Sequence, residues 1–129
     1  MTKDIENLED VKRLVDRFYA QVRADELIGP IFEGVIQDHW TAHLEKMYAF
    51  WQTILFGVAS YKGSPFPKHA PLPLEQVHFD RWLVLWNQTI DAHFEGTKAK
   101  EAKWRAGQMA IMFMSKIDHI RNNPGMSLV

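Results

Sequence analysis

Four stretches of this chain repeat apolar side chains at intervals of three and four residues, and the segment between the second and third of them cannot do so. The first stretch opens at Asn7, a residue suited to an N-cap with Asp10 three positions on. It carries Leu8, Val11, Leu14, Val15, Phe18, Tyr19 and Val22 along one helix face. Gly29-Pro30 is predicted to end it, with Ile31-Phe32 beginning a short connector. The second starts at Asp38 and shows Trp40, His43, Leu44, Met47, Tyr48, Trp51, Ile54 and Leu55 before Gly57 stops it. The third runs from Leu74 to Phe94, and Gly96 follows. Thr97 is placed to cap the fourth, which carries Ala102, Ala106, Met109, Ala110, Phe113, Ile117 and Ile120 and ends at Asn122-Asn123-Pro124-Gly125. Gly107 lies inside that helix at a cost of about 1 kcal/mol against alanine, so a close packing approach is expected there. Strand alternation, internal repeats and low-complexity tracts are missing, so the expectation is an all-α protein with one domain over residues 1–129.

Residues 58–73 break the pattern. Pro65, Pro67, Pro71, Pro73 and Gly63 forbid a regular helix, and an irregular stretch of this length inside a small domain is more often functional than decorative. His69 sits in it between Pro67 and Pro71. Prolines fix the flanks of that imidazole, which suits a positioned ligand. A turn histidine capping a carbonyl is the other reading, and the local sequence alone leaves both open.

Composition removes several classes of function. A chain of 129 residues, 47% hydrophobic, can bury about two-thirds of its unfolded surface, which excludes intrinsic disorder. With no cysteine there is neither a disulfide framework nor a thiolate metal site. A formal charge of -1, with no basic stripe, argues against nucleic acid as a partner. The longest wholly apolar run, Met109 to Met114, is far short of the roughly 20 residues that span a bilayer, so no membrane insertion is expected. The acidic, polar start is unlike a secretory signal, and a soluble cytoplasmic protein is the expectation.

Any transition metal must therefore rely on the six histidines and on carboxylates. His39 and His43 stand four apart on one predicted helix, but the glutamate of a metalloprotease helix is missing between them and two imidazoles do not close a zinc shell. His39 is expected at the solvent beside the helix start. His78, His93 and His119 have no suggestive spacing and read as surface or satisfied side chains. Tyr19, His43 and Trp82 each lie on the buried stripe of a different helix. Each alone can reach a backbone carbonyl; together they would make a small polar pocket in an aromatic core.

These residues, in this order, resemble the group III (P-type) truncated hemoglobins, over nearly the whole chain. The resemblance is carried by Phe18-Tyr19-Ala20-Gln21-Val22-Arg23, Leu27-Ile28-Gly29-Pro30-Ile31-Phe32, Trp40-Thr41-Ala42-His43-Leu44, Phe50-Trp51, Tyr61-Lys62-Gly63, Lys68-His69-Ala70-Pro71-Leu72-Pro73 and His78-Phe79-Asp80-Arg81-Trp82-Leu83. Each segment is weak singly, and their order and spacing carry the match. The chain has no Gly-Gly pair, which other truncated hemoglobins carry and the third group lacks.

The resemblance implies a truncated globin fold, a two-over-two helical sandwich around heme b (protoheme IX). By position, His69 is similar to the proximal iron ligand, Tyr19 to the distal tyrosine, Trp82 to the distal tryptophan, His43 to the distal gate histidine and Phe32 to a phenylalanine on the heme face. Lys46, Lys68, Tyr61 and Arg81 are candidates for the propionates by position alone. The implied activity is binding of O2, NO and CO at a pentacoordinate iron, with oxygen–nitric oxide chemistry favoured over oxygen transport. A heme-dependent peroxidase or nitric oxide dioxygenase is the alternative. It would need an external reductase, since no Gly-x-Gly-x-x-Gly nucleotide motif is present. A heme-free helical interaction module, with His69 incidental, is the third reading.

Overall fold

The N-terminal strip of the chain is pinned by carboxylates, and those pins decide where two of the helices begin. The computed structural model describes residues 2–61 and 74–122. Within them the chain forms α1 (Leu8–Ala24), α2 (Gly29–Ile36), α3 (Trp40–Phe56), α4 (Gln76–His93) and α5 (Thr97–Asn122). The extended elements among the described residues amount to one isolated bridge, Lys3 to Phe94.

The α1 start is as predicted: the Asn7 side chain accepts the Asp10 N–H at 3.0 Å. Its end is not. The helix stops at Ala24, and Gly29-Pro30 opens α2 instead of closing α1. Proline suits a first helical turn, where its missing N–H would have no partner in any case. Asp25 bridges the two helices, its carboxylate accepting the N–H groups of Leu27 at 3.1 Å and Ile28 at 3.0 Å. Gly29 is required by contact, since a Cβ there would lie 2.9 Å from the Val22 carbonyl oxygen. α3 ends on Gly57, which takes the left-handed conformation at φ 69°.

The expected cap of the last helix is also corrected. Thr97 lies within α5, and the carboxylate of Asp4 caps it from the far end of the sequence, accepting from Lys98 N at 2.9 Å and Ala99 N at 2.8 Å. A cap delivered by tertiary contact leaves no local trace. Gly107 departs from expectation as well: no atom lies within 4 Å of where its Cβ would be, so no close approach explains it.

α1 packs on α3 and across α4, and α4 packs on α5, so the helices form two pairs laid one over the other. The main core joins α1, α3 and α4 around Trp86, which is 1% exposed. Trp86 stacks on Trp51 at 4.5 Å, meets Phe18 edge-on at 4.9 Å, and donates its indole N–H to Ala102 O at 3.1 Å. Ala99, Ala102 and Ala106, all buried in this core, let α5 lie close against it. A second, smaller cluster unites Leu74, Phe79, Phe113, Met114 and Ile117 between α4 and α5. Trp82, Leu83 and Met109 belong to the edges of both. Among the described residues no helix is long and apolar enough to cross a membrane.

Candidate functional site

Where the two clusters meet, the packing opens. The gap is a cleft of about 730 Å³, its mouth included, walled by Phe18, Tyr19, Ile28, Phe32, Met47, Phe50, Trp51, Leu74, His78, Phe79, Trp82, Met109, Ala110 and Phe113. Most of that space is open mouth: the enclosed part holds about 60 Å³, and its wall is almost wholly apolar.

Tyr19 stands in that wall from α1, 7% exposed, held edge-on by Phe18 at 5.0 Å, Trp40 at 5.7 Å and Phe32 at 6.1 Å. Burial pushes its phenol far above the usual range, because a phenolate would be stranded without water. The hydroxyl therefore keeps its proton at any physiological pH. Trp40 is itself braced: Arg23 lies over its ring at 4.5 Å and binds Glu33 at 2.6 Å, while the Trp40 N–H reaches the other Glu33 oxygen at 3.4 Å. The bracing makes Tyr19 a fixed side chain, also bordering a second groove between α1 and α3 with Asp16, Leu44 and Tyr48.

Trp82 enters from α4. It stands edge-on to Phe18 at 5.9 Å and lies parallel to Trp86 at 6.3 Å. Phe32, from α2, completes the wall beside Tyr19. Three of the residues singled out in the sequence, Tyr19, Trp82 and Phe32, are thus brought to one cavity by three different helices.

The other sequence candidates are placed differently. The imidazole of His43 packs edge-on against Tyr19 at 5.1 Å and Trp40 at 5.9 Å, behind the cleft wall instead of in it. His39 faces solvent, 75% exposed beside Asp38, so the two imidazoles do not converge; among the described residues no group of three His, Asp or Glu is arranged to hold a metal ion. Arg81 gives its guanidinium to Asp25 at 2.6 Å. That carboxyl is 4% exposed; burial would raise it, and the bonds from Ile28 N–H and Arg81 overcome this to hold it below the usual carboxylate range. Tyr61 packs edge-on to Phe50 at 5.2 Å, and Lys46 is exposed; neither lines the cleft. Lys68 and His69 lie outside the described residues.

His78 is the residue the sequence reading passed over. It lines the cleft one helical turn before Trp82. Its signal was the i, i+4 spacing to Trp82, which says nothing until α4 is known to present that face to a cavity.

Comparison with known proteins decides the family. The model of the bacterial-like globin family matches residues 4–115. The chain is 31% identical over 115 residues to the group 3 truncated hemoglobin ctb of Campylobacter jejuni, covering 86% of this chain and 91% of that one. The chain belongs to the group III truncated hemoglobins. A crystal structure of the group III truncated hemoglobin from Campylobacter jejuni superposes with a TM-score of 0.83 at 30% identity, covering 91% of this chain and 95% of that one. The all-α truncated globin fold expected from the resemblance is therefore the observed one, and the cleft between α1, α3, α4 and α5 is the cavity of a truncated hemoglobin.

Proposed function

We propose that the chain is a heme protein that takes O2, NO and CO at a pentacoordinate iron, with oxygen–nitric oxide chemistry as its task instead of oxygen delivery. The observation that carries this reading is a buried phenol, Tyr19, set in the wall of an almost wholly apolar, aromatic cleft. The residues fit heme b in kind: flat aromatic walls on several helices around an open apolar cleft, and few polar groups, each with an N–H or O–H to donate. His69 is the residue similar to the family's proximal ligand.

Heme, when bound, supplies an iron that binds a diatomic ligand and passes it partial negative charge. Tyr19 then offers an O–H and Trp82 an N–H to that charge. One such charge-assisted bond contributes about 1.5–3 kcal/mol, or roughly 10- to 150-fold in affinity. Two donors favour retention over release, and retention suits a protein that reacts with its ligand. His43, similar by position to the family's distal gate histidine, packs edge-on behind Tyr19 at 5.1 Å and backs the phenol.

Peroxidase chemistry is less well supported. It calls for a carboxylate on the second nitrogen of the proximal histidine. Residues 59–74 contain no Asp or Glu to serve from the same loop. Sustained turnover of either kind would draw on an external reductase. Stopped-flow mixing of heme-loaded, dioxygen-equilibrated protein with nitric oxide tests the reading. One equivalent of nitrate formed within the mixing phase is expected, and slow oxidation without nitrate would overturn it.

A further inference from the structure

The cleft wall holds few polar side chains among the described residues: the Tyr19 hydroxyl, the indole N–H groups of Trp51 and Trp82, and the imidazole of His78. Tyr19 and Trp51 are buried, and Trp82, half-buried like His78, is wedged between the two core clusters. His78 differs in place, lying at the first turn of α4.

Its ring is oriented. Nδ1 accepts the backbone N–H of Glu75 at 2.8 Å, the returning half of a capping box at the start of α4. A neutral imidazole that accepts at Nδ1 carries its proton on Nε2, so a directed N–H donor remains on the other edge of the ring. The first turn of this eighteen-residue helix adds the positive end of its dipole, and the Glu75 carboxylate at the same cap is paired with Arg121 at 3.1 Å. An apolar cleft with a half-exposed, oriented N–H donor at the start of a helix suits a flat hydrophobic molecule ending in a carboxylate. The described cations suggested by sequence position are not there: Arg81 is spent on Asp25, and Lys46 does not line the cleft.

We infer that His78 anchors one of the two carboxylates of the heme, its Nε2–H donating to a propionate oxygen at the open rim of the cleft. This rests on the heme reading above.

The test separates donor, cap and packing. Asparagine at 78 can still accept the Glu75 N–H through a short side chain but does not reach as far as Nε2; glutamine both caps and reaches. Wild type, His78→Asn and His78→Gln are each loaded with protoheme and with protoheme dimethyl ester, whose propionates can no longer be charged. Loss to an excess of apomyoglobin is followed at the Soret band, and thermal unfolding of each heme-free protein is recorded. With protoheme, His78→Asn should lose its cofactor about tenfold faster than wild type, while His78→Gln stays close to wild type. With the ester, all three should release at one rate, and the heme-free melting points should agree. Equal protoheme loss in wild type and His78→Asn overturns the inference. So does an acceleration that persists with the ester, which would make His78 a packing residue, or a five-coordinate ferrous spectrum lost with His78→Asn, which would make it an iron ligand. Wild type that takes up neither compound fails the heme reading itself, a separate result.

Discussion

Trp82 and Trp86 stand one turn apart on α4 with rings parallel at 6.3 Å, yet they do opposite jobs. Trp86 is sealed, stacked on Trp51 and tied by its N–H to Ala102 O. Trp82 faces the gap where the two clusters part. Both sides of this boundary use the same aromatic residue types, so composition does not distinguish a filled core from a cofactor wall. What separates them is contact: opposite Trp86, α5 brings Ala102 and Ala106 into the main core and takes the indole N–H on Ala102 O, whereas along the cleft Met109, Ala110 and Phe113 of α5 face the gap.

That contrast can be broken at either tryptophan. Trp86→Ala should cost about 3–5 kcal/mol of unfolding free energy in a urea titration of the heme-free protein, a large share of the roughly 5–15 kcal/mol typical of a domain. Trp82→Ala should cost less than half as much, because part of its surface already faces the cleft. Equal losses would mean the cleft is closed in solution.

The wall can next be sharpened at Tyr19. Tyr19→Phe removes a hydroxyl without changing the ring and should raise the dioxygen release rate of the heme-loaded protein by roughly 10- to 150-fold, less if Trp82 compensates. An unchanged rate in flash photolysis would take Tyr19 out of the ligand's reach.

A smaller effect is expected at the clip that sets α5. Asp4→Ala should cost about 1 kcal/mol, typical of a lost N-cap. Its pH dependence has a definite sign. Burial would raise the Asp4 carboxyl, but the N–H groups of Lys98, Ala99 and Ile5 outweigh it and hold the group below its ordinary value; Asp10 is likewise held down, with Lys3 as its main partner. Carboxyls with depressed folded-state values stabilise above the ordinary carboxylate range and lose that contribution as pH falls through their folded values. Urea midpoints of Asp4→Ala should therefore fall less on acidification than those of wild type.

The smallest effect is a gain. Gly107→Ala meets no atom within 4 Å and should add about 0.5–1 kcal/mol. A loss would mean that another segment of the chain approaches there.

Much of this molecule was readable from local pattern. The apolar stripes gave the four long helices, and Asn7 and Gly57 marked ends the structure retains. The errors have one cause, that sequence pattern is local while the decisive contacts are not. Pro30 read as a breaker because the carboxylate that organises the turn before it, Asp25, is itself fixed by Arg81 from α4. Thr97 read as a cap because Asp4 is far away in the chain. Of the site, Tyr19, Trp82 and Phe32 were found through their place in a family pattern and do share a cavity, whereas His78 was missed because a lone histidine acquires meaning only when a helix turns it toward a cleft.

Titrating the protein with hemin while recording the absorption spectrum tests the central claim most directly. The account predicts a sharp Soret band that saturates at one equivalent and, on reduction, a five-coordinate ferrous spectrum that His69→Ala loses. A spectrum that stays that of free hemin and rises without saturation would contradict it.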